Sequence, residues 1–210
     1  MQNKRVIIFD FDGTLVDTTE ILFRVFNDLA DQYHYSPISK ETWSSVRDKG
    51  IKQYLSAHAK IPFWRLWRFT RRARARYRSY SAVIRPFPDI KETLDALQEK
   101  GHTIGIVSSN ATDTIATILK KFGMSVDFTV TSSIFGKSRT LNALTRKYHF
   151  DKNEILYIGD EVRDVEACRK SGIDILAVTW GLNSQSALHK AGARTIEQPF
   201  HLLEAIIDTK

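Results

Sequence analysis

With 210 residues, 42% of them apolar and 26% charged, the chain has an ordinary globular composition and can bury a sizeable core, as one large domain or as a core with a modest insert. It has no apolar window of membrane-spanning length. The run after Lys4 and Arg5 is interrupted by Asp10 and Asp12, unlike a secretory signal, and the single cysteine, Cys168, excludes an internal disulfide, so a cytoplasmic protein is expected. The net charge of +7 is local: seven of the 31 basic residues are arginines within residues 65–78, and the remaining 24 balance 24 acids. Any attraction for anionic partners therefore belongs to that stretch.

Residues 6–9, Val-Ile-Ile-Phe, are continuously apolar, which predicts a strand buried on both faces of a parallel sheet and ending at Asp10. Ligands bind at that carboxyl edge. Asp10 and Asp12 leave an extended chain on the same side, and Gly13 permits the turn that follows. Two acids so placed repel unless a cation or a proton intervenes; a divalent metal is the usual solution, and Mg²⁺ is suited to carboxylate, carbonyl and water ligands. Helical spacing follows at Ile21, Leu22, Val25, Phe26, Leu29 and Ala30, with Thr18 or Thr19 as N-cap. A loop around Pro37 and short helical pieces with a turn at Asp48-Lys49-Gly50 come next.

Pro62 opens a further helix. Its predicted apolar face holds Phe63, Leu66, Trp67, Thr70, Ala73, Tyr77 and Tyr80; Arg65, Arg68, Arg72 and Arg76 take the opposite face, and Arg71, Arg74 and Arg78 flank the stripe. Pro86 and Pro88 punctuate the chain after it. Residues 16–85 are thus expected as an all-helical unit inserted into an α/β core of residues 1–15 and 86–210. From residue 89 onward helix alternates with strand, the strands being residues 103–107, 128–130, 154–158 and 174–178. Five strands separated by helices predict a Rossmann-like, doubly wound parallel sheet with right-handed crossovers.

The reactive groups all fall at the ends of those strands: Asp10 and Asp12, Ser108 and Ser109, Asp160 and Asp164, with Lys137 arriving from a loop. Acids, an ammonium and serine hydroxyls together suit a phosphoryl group held by a divalent cation better than a neutral molecule. The acids would hold the metal. Lys137 and Ser108 would bind the non-bridging oxygens, and the N–H groups around Phe11, Asp12 and Ser109 would add donors.

With these motifs the chain resembles the haloacid dehalogenase superfamily of phosphotransferases over nearly its whole length. Asp10-Phe11-Asp12-Gly13-Thr14 matches the first motif, Ser108 the second, Lys137 the third, and Gly159-Asp160 with Asp164 the fourth. The helical insert sits where that family carries a helical cap. The tail Val178-Thr179-Trp180-Gly181 and Ala191-Gly192-Ala193 is similar to that of phosphoglycolate-phosphatase-like members. The resemblance implies that Asp10 is the nucleophile forming an aspartyl-phosphate, and that Asp12 is the general acid that protonates the leaving oxygen and then activates water. It further implies that Asp160 ligates Mg²⁺ with Asp10 and the Asp12 carbonyl, and that Asp164 holds a metal-bound water or orients Lys137.

The leading expectation is a Mg²⁺-dependent phosphatase of a small phosphorylated metabolite. A sugar phosphomutase is one alternative, and docking of anionic partners through the arginine-rich helix is another, with nucleic acid not the expected partner. Ala111 stands where the mutases usually have lysine, and Asn110 where many phosphoglycolate phosphatases do. Arg47, Lys49 and Gly50 fall where a cap loop would approach the substrate, and Arg74 is placed to bind an anionic leaving group or to cover the cap core with its stem. Glu161 reads as a solvated residue at a helix start, Cys168 as a buried hydrophobe, and no histidine has ligand spacing.

Overall fold

The computed structural model describes residues 4–49, 65–133 and 136–207. Gly50, the side chains of Arg47 and Lys49, and the helix start expected at Pro62 lie outside the described residues. Strand β1 (Val6–Phe9) is central in a six-stranded sheet. β4 (Thr103–Ser108) and then β5 (Phe128–Thr131) lie on one side of it. β6 (Ile155–Gly159), β7 (Asp174–Val178) and β8 (Arg194–Ile196) lie on the other, and all pairings are parallel. Side chains alternate across the pleat, so Ile7 and Phe9 join one hydrophobic cluster while Val6 and Ile8 join the other. That is why this strand reads as unbroken apolar sequence.

β8 makes the sheet one strand larger than the sequence predicts. It has only three residues, of which Ile196 alone is buried, so it carries too little pattern to read. A two-residue pair, β2 (Val16–Asp17) with β3 (Arg85–Pro86), runs antiparallel where the chain leaves and re-enters the sheet layer. Between them lie α1 (Thr19–Asp28), α2 (Ala30–Tyr33), α3 (Lys40–Lys49) and α4 (Leu66–Ser79). Thr18 occupies the N-cap position of α1 but makes no side-chain cap bond. α3 runs unbroken through Asp48 and Lys49 instead of turning there, because residues 40–49 contain no glycine or proline to stop it.

The buried face of α4 differs from the predicted one. Phe69 is 4% exposed and Tyr77 4%, whereas Trp67 is 61% exposed with the Arg68 and Arg71 guanidiniums over its ring. The apolar stripe is Phe69, Ala73 and Tyr77, four residues apart, and Phe69 packs edge-on against Phe26 and Tyr33. Arg76 is likewise not on a purely solvated face, since its Nε lies 2.6 Å from the Asp28 carboxylate of α1. The remaining helices, α5 (Ile90–Glu99), α6 (Thr112–Lys121), α7 (Lys137–Tyr148), α8 (Val162–Ser171), α9 (Gln185–Lys190) and α10 (Leu202–Ile207), complete the α/β core.

Candidate active site

Three neighbouring strands bring the expected groups to one edge. Asp10 follows β1, Ser108 ends β4 and Asp160 follows β6. Asp10 Oδ1 accepts the Phe11 N–H at 2.7 Å, which fixes the rotamer and leaves Oδ2 to the Lys137 ammonium at 2.8 Å. Lys137 is the first residue of α7 and reaches across to Asp164 Oδ1 at 2.5 Å as well. Asp160 accepts from the Thr14 hydroxyl at 2.8 Å and from the Leu182 N–H at 2.7 Å. The space around this carboxylate is set by glycine: a Cβ on Gly13, whose φ is +76°, or on Gly181 would lie 2.2 or 2.3 Å from Asp160 Oδ2.

Asp12 lies apart from that acid group. Its Oδ1 accepts from the Tyr77 hydroxyl of α4 at 2.5 Å, and its Oδ2 from the Asn110 amide at 3.2 Å. The Ser108 hydroxyl accepts the Asn110 N–H at 3.1 Å. The Ser109 carbonyl is taken by Arg74, whose Nε donates at 2.9 Å and whose Nη2 also reaches the Ser132 carbonyl at 3.3 Å. Arg74 therefore links the helical layer to the strand ends. Glu161 is not solvated: it is 5% exposed, caps α8 in a reciprocal box with Asp164 and pairs with Arg163 at 2.5 Å.

One carboxylate oxygen from each of Asp10, Asp160 and Asp164 lies within 4.8 Å of the others, and all three side chains are buried. Around them Asp12 and Glu161 add two further carboxylates, against the two cations Lys137 and Arg163. That imbalance, made of hard oxygen donors, fits a divalent ion such as Mg²⁺. Burial pushes the Asp160 carboxyl well above its ordinary range, and Glu161, Asp10 and Asp164 add to the effect. Burial raises Asp164 to about 6 against the opposing pull of Lys137, and raises Asp12 to about 6 despite the Tyr77 hydrogen bond. Burial opposes the charge on Lys137, but Asp10 and Asp164 outweigh it and hold the ammonium above its usual range.

The family profile described as haloacid dehalogenase-like hydrolase matches residues 7–178. The chain belongs to that family. As a haloacid dehalogenase-like hydrolase it is an enzyme, and its curated relatives are of the phosphatase type. It is 31% identical over 206 residues to a phosphoglycolate phosphatase of Synechococcus elongatus, covering 96% of this chain and 97% of that one. It is 23% identical to the pyrophosphatase PpaX of Bacillus velezensis, covering 99% and 96%. A crystal structure of a hydrolase from Pseudomonas syringae superposes with a TM-score of 0.81 at 24% identity, over 98% and 99% of the two chains, and so shares the fold. Among the described residues no helix is long and apolar enough to cross a membrane.

Tyr77, Thr14 and Arg163 are contacts of this hydrolase's site that sequence reasoning assigns elsewhere or leaves without a part. Thr14 is visible inside the first motif, but nothing in the sequence announces that its hydroxyl meets Asp160. The raised carboxyls give a testable linkage. In the metal-free protein, folded Asp160 and Asp164 bind protons more tightly than an unfolded aspartate near 3.8. The Asp164 contribution to stability therefore falls as pH rises through about 4 to 6, and that of Asp160 changes in the same direction. Added Mg²⁺ favours the ionised carboxylates, so its thermal stabilisation is expected to be larger at pH 7 than at pH 5, at about 2–4 °C for each kcal/mol. A melting curve indifferent to Mg²⁺ at both pH values would count against a metal at these acids.

Proposed function

We propose that this enzyme is a Mg²⁺-dependent phosphomonoester phosphatase working through an aspartyl-phosphate on Asp10, with residues 16–85 as a helical cap over a core of residues 1–15 and 86–210. The observation that carries this reading is the placement of Asp10: one oxygen is held by the Phe11 N–H and the other by Lys137, beside the buried Asp160 and Asp164. A carboxylate fixed in this way is oriented for in-line attack on phosphorus. Asp10, Asp160 and the Asp12 carbonyl would hold Mg²⁺, which when bound supplies positive charge against the phosphoryl oxygens.

The chain's own groups divide the remaining work. In the first half-reaction Asp10 forms a bond to phosphorus, the bond from phosphorus to the ester oxygen breaks, and protonated Asp12 gives that oxygen its proton. In the second, Asp12 takes a proton from water, the hydroxide attacks phosphorus and Asp10 leaves. An Asp12 carboxyl near 6 is suited to both directions of transfer. Ser108, Ser109 and Lys137 would bind the phosphate oxygens, and Asp164 orients Lys137 through the 2.5 Å contact. Asn110, besides its bond to Asp12, would border the substrate. The reading supports a small phosphorylated substrate handled in the cytoplasm.

The test is hydrolysis of a generic aryl phosphate. Turnover is expected with Mg²⁺, is expected to disappear when a chelator strips the metal, and is expected to return when Mg²⁺ is restored. Undiminished turnover by verified metal-free protein would remove the metal from the account. A second reading, docking of an anionic partner, is favoured by one observation: Arg65, Arg68, Arg71 and Arg72 line a single pocket with Gln32 and Tyr33. Its effect would be confined to partner binding, since that pocket holds none of the reacting groups.

A further inference from the structure

The arginines of α4 fall into two groups with different surroundings. Toward its end each is engaged: Arg74 donates to the Ser109 and Ser132 carbonyls, Arg76 pairs with Asp28 at 2.6 Å and Arg78 with Asp113 at 2.5 Å. Around its start, Arg65, Arg68, Arg71 and Arg72 have no carboxylate at ion-pair distance among the described residues. The neighbouring sequence supplies none either, since residues 49–88 contain no aspartate or glutamate.

Those same four side chains line one cavity of about 130 Å³. Spacings of three and four put Arg65, Arg68 and Arg72 on one face of the helix, with Arg71 beside them. The facing wall is Gln32 and Tyr33 of α2, whose amide and hydroxyl are neutral donors. That wall is held in place, because the Tyr33 ring packs edge-on against buried Phe69 of α4 with centroids 5.1 Å apart. Four like charges around one space repel until an anion enters it.

The lining also selects the anion. Every cation is an arginine, whose planar fork matches pairs of phosphate oxygens. A cavity of about 150 Å³ takes up benzene, with six heavy atoms, so the space here encloses one phosphoryl group of five. A single phosphate group carries about −1.5 to −2 at neutral pH, half or less of what the four guanidiniums call for. A second linked group at the mouth of the cavity brings the charges close to a match.

We infer that this pocket is a binding site for a compact diphosphate group, separate from the site of the reacting acids. The inference narrows the anionic-partner reading to one ligand chemistry and does not depend on the phosphatase chemistry.

The test is calorimetric titration of the full chain, without added divalent metal and at fixed ionic strength, with pyrophosphate, inorganic phosphate and a nucleoside diphosphate. Pyrophosphate is expected to bind one to one and about tenfold or more tighter than phosphate. A nucleoside diphosphate that binds more tightly still identifies the group as part of a nucleotide, a weaker one identifies the free anion, and both support the site. The combined variant Arg68→Gln/Arg71→Gln/Arg72→Gln keeps good helix formers at exposed positions and is expected to weaken pyrophosphate by about tenfold or more. Arg72→Gln alone is expected to weaken it by about threefold or more, and decides the matter should the combined variant not fold. Undiminished affinity in a folded variant, or no saturable binding at about 1 mM and below, would overturn the inference and leave the phosphatase reading intact. A single-stranded oligonucleotide bound about tenfold or more tighter than pyrophosphate, and released by the same substitutions, would also overturn it and leave the anionic-docking reading standing.

Discussion

Asp10→Asn is expected to abolish turnover, by about 10⁴-fold or more, without unfolding the chain. The amide keeps the shape of the carboxylate and can still accept the Phe11 N–H, but it has no anionic oxygen to attack phosphorus. The fold should survive, because removing one charge from a site where Asp10, Asp160 and Asp164 crowd within 4.8 Å relieves repulsion and Lys137 keeps its pair with Asp164, while the amide nitrogen meets the ammonium where an acceptor stood. Steady-state kinetics and thermal melts on the same preparation check both halves. Activity within tenfold of the wild type would place the nucleophile elsewhere.

Lys137→Met is expected to damage stability as well as activity. The ammonium is 4% exposed and lies 2.8 Å from Asp10 and 2.5 Å from Asp164, so methionine keeps much of the volume and leaves two buried carboxylates without their cation. Breaking a buried pair in this way costs about 3–5 kcal/mol, which for a chain of this length is on the order of 10 °C in melting temperature. The sign of the pH dependence follows from the same argument. Without Lys137, whose charge pulls the Asp164 carboxyl down, Asp164 binds its proton more tightly in the folded state, so the deficit should be smallest near pH 5 and grow as the pH rises. Melts in chelator across that range measure it, and a loss of less than about 2 °C throughout would show that the ion pairs carry little of the fold's stability.

Much of this arrangement is legible in the sequence for a physical reason. Asp10, Asp160 and Ser108 are each attached to a strand of the central sheet, where continuous burial leaves an apolar run ending abruptly in a polar residue. The parallel topology then fixes that all three emerge at one edge. Cys168 is fully buried, as its type suggests. The helical layer is less legible, because periodicity defines a helix face only to within a residue or two. Trp67 and Phe69 are both large and aromatic, and only the packing against Phe26 and Tyr33 decides that Phe69 is inside. Placing Trp67 inward also hides what Tyr77 does, since a tyrosine read as core filling has its hydroxyl on Asp12. Glu161 is misread for a related reason: an acid at a helix start is usually solvated, and its burial depends on Arg163, which only the fold turns toward it.

The most direct test of the account is to trap the covalent intermediate. Protein mixed with a phosphate ester and Mg²⁺, quenched in acid within the first turnover and mapped by mass spectrometry, is expected to carry an acid-stable, base-labile phosphoryl group on Asp10. The label should be absent from Asp10→Asn. Rapid hydrolysis without any phosphorylated Asp10 under the same quench, or a phosphoryl group mapped to another residue, would contradict the central claim that this carboxylate is the nucleophile.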